Sequence, residues 1–326
     1  MKRFAVLLSV FTLLAGLALP ALAKVDATVV DENSKPIPKA KILEIWDIKN
    51  TTEERLVYAD SKGKFTFSQP SERYALMAVA DGRTFGSNLA RREGYPIRIM
   101  LLKEKLFKGR VVDERGKPLA GVTITMDRFS GSDKAHNIIN FYDTSSPIPG
   151  MPKPRGYVDI RPKAVSDARG NFIISHIPDP SRMTYLSMVM STSKGGRAIV
   201  RKNIQIDDMR RELVITVPPS CTIRGTLYTP KKAGKAPEGT LLIVYAGDKS
   251  TSTYALYSRV GKNGAFEFDN LPPGKLSITM QPIRIFSTTG YSKLGWILPK
   301  YPDIVLSAGE TRTVELVGVK GAVLKG

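Results

Sequence analysis

Apolar and polar residues alternate along most of this chain in short runs, and Asp, Asn, Gly and Pro separate the runs, which is the punctuation of an all-β protein. The stretch 107–126 shows the pattern most clearly. Val111 and Val112 lead into a turn with Asp113 at its first and Gly116 at its fourth position, the residues a type I turn favours, so a strand ends there. Beyond Pro118, Leu119 and Gly121, the β-branched alternation of Val122, Thr123, Ile124, Thr125 and Met126 starts a second strand. A companion segment follows at 167–174, where Asp167 and Gly170 frame another turn and Phe172 and Ile174 share one face of the next strand. The two pieces are expected to belong to one antiparallel sandwich.

The same pair of segments recurs twice. Upstream, Val29 and Val30 precede Asp31, Pro36 and Pro38 lead to Ala40 and Ile42, and the companion carries Asp60, Gly63, Phe65 and Phe67. Further strands are expected at 73–80 and 97–102, joined by an irregular basic connection around 82–94, with Trp46 and Tyr58 as core or sheet-face aromatics. Downstream, the strand 221–228 centres on Gly225. A Lys- and Gly-rich loop at 230–239 and an apolar strand at 240–246 follow it, and the companion at 261–268 places Phe266 two residues after Gly264. Two aromatic excursions interrupt the scheme. Residues 127–163 contain Phe129, Phe141, Tyr142 and Tyr157 among five prolines, and residues 282–302 contain Phe286, Tyr291, Trp296 and Tyr301. The division expected is therefore 1–23, then sandwiches at 24–103, 104–218 with the loop 127–163, and 219–326 with the loop 282–302, jointed near 103–105 and 218–220.

At these motifs the chain resembles carboxypeptidase regulatory-like domains, the transthyretin-like sandwich modules related to collagen-adhesin B-type domains. The matching residues are Gly109, Val111, Asp113, Gly116, Pro118, Leu119, Gly121 and Val122, the Asp-x-x-Gly-x-Phe companions, and Leu271, Pro272, Pro273, Gly274 and Ile278. The resemblance implies a seven-stranded Greek-key sandwich in each repeat, of immunoglobulin- or prealbumin-like type, and a non-catalytic accessory, adhesive or spacing role. The Lys-Asn or Lys-Asp cross-link of some adhesin domains would need a lysine just before the turn, where this chain has Val30 and Val112.

Bulk properties narrow the setting. Lys2 and Arg3, an apolar run over 4–19, and Ala21-Leu22-Ala23 after Pro20 have the form of a secretory signal, with a mature start at Lys24 and no later run long enough to span a membrane. Cys221 is the single cysteine, so no intrachain disulfide can form and the sandwiches depend on core packing. Lys and Arg number 49 against 30 acids, a formal charge of +19; without Lys2 and Arg3 the count is 47 − 30 = +17. A cation of this size is drawn to anionic envelope polymers, acidic polysaccharide or lipid headgroups, while its even spread along the chain also suits a simply solvated surface. Specific nucleic-acid recognition is not expected.

Catalytic patterns are missing from the sequence. The two histidines, His136 and His176, stand forty residues apart, and no HExxH, CxxC, G-x-S-x-G, Walker or dinucleotide motif is present. Neither cofactor nor metal is expected, and His176 reads as an ordinary strand-end imidazole. Three functions remain open: an exported envelope binding or adhesion protein, a structural spacer, and an enzyme with an unrecognised site. For the first, the binding residues would be Phe286, Tyr291, Trp296 and Tyr301 with Arg284 and Lys293, where aromatic faces stack on sugar rings and cations attract an anionic polymer or another envelope protein. Trp296 could equally cap the core of the third sandwich.

Overall fold

The structure is a computed structural model and describes residues 24–48, 51–68, 74–88, 97–133, 139–142, 160–246, 254–280 and 296–320. The first group of strands is β1 (Lys24–Asp31), β2 (Lys41–Ile48), β3 (Thr51–Tyr58), β4 (Lys64–Ser68), β5 (Tyr74–Val79), β6 (Gly86–Asn88) and β7 (Ile97–Leu101). The second is β8 (Glu104–Val112), β9 (Thr123–Asp133), β10 (Ile139–Tyr142), β11 (Lys163–Val165), β12 (Asn171–Pro178), β13 (Met183–Ser193), β14 (Arg201–Gln205) and β15 (Leu213–Thr216). The third is β16 (Cys221–Tyr228), β17 (Leu241–Ala246), β18 (Tyr254–Arg259), β19 (Ala265–Leu271), β20 (Gly274–Met280), β21 (Trp296–Ile297), β22 (Ile304–Leu306), β23 (Thr311–Val317) and β24 (Val319–Lys320).

Each group forms a sandwich of two sheets, and the third adds the two-stranded pair β21-β24. The first sheet has three strands in the orders β4-β1-β7, β12-β8-β15 and β19-β16-β23; the second is β3-β2-β5-β6, β10-β9-β13-β14 with β11 also on β9, or β18-β17-β20-β22. In all three, the opening strand lies at the centre of its sheet, antiparallel to the strand after the companion turn and parallel to the closing strand. The sandwiches are therefore not purely antiparallel: the closing strand returns in the direction of the opening one, so the chain enters each sandwich at one end and leaves at the other. The proline-rich excursion of the second sandwich also begins as sheet, because β9 continues to Asp133 and pairs with β10. Its five prolines all follow that hairpin.

The recurring motif has a physical explanation in the core. Phe172 lies opposite Gly109, and Phe266 opposite Gly225, each ring occupying the space a Cβ on that glycine would need. In the first sandwich Ala27 takes the glycine's place opposite Phe65. A small residue on the opening strand thus makes room for the aromatic that follows the companion turn, and Phe65, Phe172 and Phe266 are all buried.

The turns are closed by their aspartates. Asp113 Oδ1 accepts from the Arg115 and Lys117 amides at 2.9 and 2.8 Å, and Asp167 Oδ1 from the Arg169 and Asn171 amides at 2.8 Å each. Asp31 and Asp60 repeat the arrangement on the amides two and four residues ahead. All four carboxyls are held below their ordinary value of 3.8, chiefly by the amide four residues on. A folded pKa below the unfolded one gives stability that is present above about pH 3.8 and is lost as pH falls through the lower folded values. Denaturant titrations are accordingly expected to show the fold weakening below pH 4, with a shallower acid slope in Asp113→Ala plus Asp167→Ala; an unchanged slope would exclude this linkage.

Candidate functional site

Of the six sequence-derived binding residues, only Trp296 and Tyr301 lie among the described residues. Arg284, Phe286, Tyr291 and Lys293 lie outside the described residues, as do His136 and Tyr157, and Phe129, Phe141 and Tyr142 are described only through their backbone in β9 and β10. Trp296 is buried at 8% exposure in the core of the third sandwich, with Leu298, Ile304 and Leu316 in the same cluster, and its ring rests on Gly318. This is the core-capping role. Tyr301 is half-buried against that core, its hydroxyl donating to the Glu315 carbonyl. Tyr58 stands exposed on β3.

What the structure does assemble is a pair of closed joints. The outward face of β2 and β5 carries Leu43, Ile45, Met77 and Val79, and these belong to one continuous apolar cluster with Phe107, Ile177, Met183 and Leu186 of the second sandwich. The inward face, with Ile42, Leu76 and Ala78, belongs to the separate core of the first sandwich. Period two therefore gives this sheet two buried faces, one for its own core and one for its neighbour.

Polar groups surround that shared core. Arg83 Nη1 reaches Glu32 Oε2 at 2.8 Å, and Arg182 Nη1 of the second sandwich reaches Glu32 Oε1 at 3.2 Å, so one carboxylate ties the two units. Desolvation works against the Glu32 carboxylate, but a backbone hydrogen bond at Glu32 together with Arg182 and Arg83 outweighs it and holds the carboxyl below its ordinary value. The Thr84 amide donates to Leu102 O at 2.8 Å, the Leu102 amide donates to Thr84 Oγ1 at 3.0 Å, and the Glu104 amide donates to Gly82 O at 3.2 Å.

His176 belongs to this joint. It is an internal residue of β12, which runs on to Pro178, at an irregularity in the pairing with β8 where its φ of 63° turns the strand. A bulge re-aims a side chain. Here the ring meets Phe85 edge-on at 5.5 Å, and Nδ1 lies 2.7 Å from the Arg83 carbonyl, which can only accept, so Nδ1 carries the hydrogen. Glu104 Oε2 accepts from the His176 amide at 2.6 Å. One carboxylate beside one imidazole, both engaged with backbone, is a structural arrangement. Among the described residues no three His, Cys, Asp or Glu side chains converge as a metal would require.

The second joint is built from 194–200. Ala198 N donates to Pro218 O at 3.0 Å, Ser220 N donates to Gly196 O at 3.3 Å, and Ile199 N donates to Asn270 O at 2.8 Å. Ile199 packs on the third core while its neighbour Val200 packs on the second. Sequence reading put joints near 103–105 and 218–220 but missed the packing that closes them, which for the first only the apolar pairs Leu43/Ile45 and Met77/Val79, falling between the residues of the expected core face, signalled.

No protein-family profile matches the chain. No curated protein matches it either. Among solved structures, the Bacillus anthracis TIE protein aligns with 92% of this chain and 51% of its own at 11% identity and a TM-score of 0.26, so the matched region spans about half of that protein. The major pilin subunit BcpA of Bacillus cereus aligns over 91% of this chain and 99% of its own at 11% identity and 0.25. A streptococcal ancillary pilin aligns over 90% and 99% at 12% identity and 0.26. Scores this low assign the chain neither to a family nor to an activity.

Proposed function

We propose that this chain is an exported, non-catalytic scaffold of the cell envelope, in which three sandwiches hold fixed orientations and so set the position of whatever is attached to either end. The closed first joint carries this reading: a sheet buried on both faces cannot rotate against its neighbour without exposing Leu43, Ile45, Met77 and Val79. Entry and exit at opposite ends of each sandwich suit the role. Burial of Trp296 favours the spacer over the polysaccharide-binding alternative, for which the charge of +19 remains the support. Export rests on residues 1–23, and secreted material is expected to begin at Lys24; N-terminal sequencing that returned Met1 would remove that part of the proposal.

Rigidity is directly measurable. Spin labels at Lys62→Cys and Lys262→Cys sit on exposed turns of the first and third sandwiches, and the native Cys221, fully buried, does not compete for label. A single narrow distance distribution is expected, broadened when Arg83→Ala and His176→Ala are combined. A broad distribution in the unmodified joints would refute the scaffold reading.

A further inference from the structure

The outward face of β12-β8-β15 departs from its two counterparts. Along β8 it presents Leu106, Lys108 and Arg110, with Ile173 from β12 opposite Lys108 and Val214 from β15 opposite Arg110. Leu106, Ile173 and Val214 are 53, 53 and 44% exposed. The matching pairs elsewhere are polar and satisfied. In the first sandwich Asp26 stands opposite Thr66 and accepts its hydroxyl at 3.0 Å, with Thr28 opposite Arg98. In the third, Arg224 stands opposite Glu267 and pairs with it at 3.0 Å, while Thr226 stands opposite Glu315, itself paired with Lys232 at 2.6 Å. The outward faces of the two matching sheets are thus built from polar pairs, whereas this face carries exposed aliphatic side chains between cations.

Two further observations point the same way. A cavity of about 370 Å³ opens at the start of β8, lined by Leu106, Ile177, Pro180, Met209, Lys108 and Arg211 among others, with Glu212 the acid on its wall. Among the described residues, Lys108, Arg110 and Arg211 have no carboxylate within ion-pair distance, and the buried Arg110 Nε has no hydrogen-bond partner. Lys105 is engaged by Asp179.

We infer that this face is a docking surface for an acidic segment of another protein, one that alternates carboxylates with aliphatic or aromatic side chains and places a bulky one in the cavity. The carboxylates meet Lys108, Arg110 and Arg211, and the apolar groups cover Leu106, Ile173 and Val214. A second copy of this chain is disfavoured by like charge, at +17 each without residues 1–23. A bilayer is disfavoured because the aliphatic residues stand within strands of a flat sheet, where they cannot pass below headgroups as a loop tip does.

The test selects displayed random peptides on the full-length protein and measures binding of synthetic copies of those enriched. Sequences alternating Asp or Glu with Leu, Ile or Phe are expected. Their affinity should fall at least about tenfold with Lys108→Glu, and likewise with Ile173→Thr plus Val214→Thr, which bring Thr to exposed positions and should leave melting unchanged. Hydrogen exchange should slow in β8, β12 and β15 on binding. Enriched peptides that lack acids, or that bind all variants equally, would overturn the inference. So would co-sedimentation with vesicles of one part anionic to three parts neutral lipid that Ile173→Thr plus Val214→Thr abolishes, since the face would then be a membrane contact.

Discussion

Replacing Trp296 with alanine is expected to lower the stability of the third sandwich by about 3–5 kcal/mol. The ring is 8% exposed and sits in the cluster with Leu298, Ile304 and Leu316, so its removal leaves a cavity on the core side. Backbone reinforces its position, because β21 pairs with β24 through Trp296 and Lys320. Gly318, between β23 and β24, then provides the space: a Cβ there would fall inside the indole, so the chain cannot carry a side chain at that point. Urea unfolding followed by circular dichroism reads the loss, and the first two sandwiches should unfold as before. A Trp296→Ala protein that melts within a few degrees of the original but no longer binds an acidic polysaccharide would restore the binding role.

Gly170→Ala should destabilise the second sandwich by about 3–5 kcal/mol, against about 1–2 kcal/mol for Gly116→Ala. Both glycines have left-handed backbone, φ 78° and 76°, so alanine meets the same conformational penalty at each. Their surroundings differ. A Cβ on Gly116 would meet nothing within 4 Å, whereas one on Gly170 would collide with the Val111 carbonyl. That carbonyl accepts from the Leu119 amide at 3.0 Å, and the Val111 amide donates to Gly170 O at 2.8 Å, so moving it breaks the knot between the two turns. Gly63 against Val29 O and Gly264 against Leu227 O repeat the contact in the other sandwiches. Equal losses for the two substitutions would show that only backbone conformation matters.

These turn glycines were legible in the sequence because everything that positions them is local. Asp at the first position of a turn, Gly at the fourth and an aromatic two residues later can be read in a short window and locate the companion strands of the first two sandwiches, while Asp113 and Gly116 mark the end of the opening strand of the second. The opposite holds for features that join distant parts of the chain. The parallel partner of β8 is β15, whose residues Leu213–Thr216 come after the whole intervening sandwich. The bulge at His176 is dictated by Phe85 and the Arg83 carbonyl in the previous sandwich, so the sequence around it suggested only a strand end. Trp296 read equally well as surface or core because the glycine that accommodates it, Gly318, lies more than twenty residues further along, between β23 and β24. The expected face of Phe172 and Ile174 did imply that Ile173 points outward, but only the structure adds Val214 and Leu106 beside it.

The parallel pairing of opening and closing strands has a mechanical consequence. In the third sandwich the pairing extends from Thr222 with Thr311 to Tyr228 with Val317. Tension applied at the two ends draws β16 and β23 past each other along their length, so the whole ladder bears the load together and must fail together. An antiparallel pair loaded from one end would open one hydrogen bond at a time. With this shear geometry repeated in all three sandwiches, the chain is built to transmit a pull along its length, and its lifetime under force would be set by the rate at which a complete ladder ruptures.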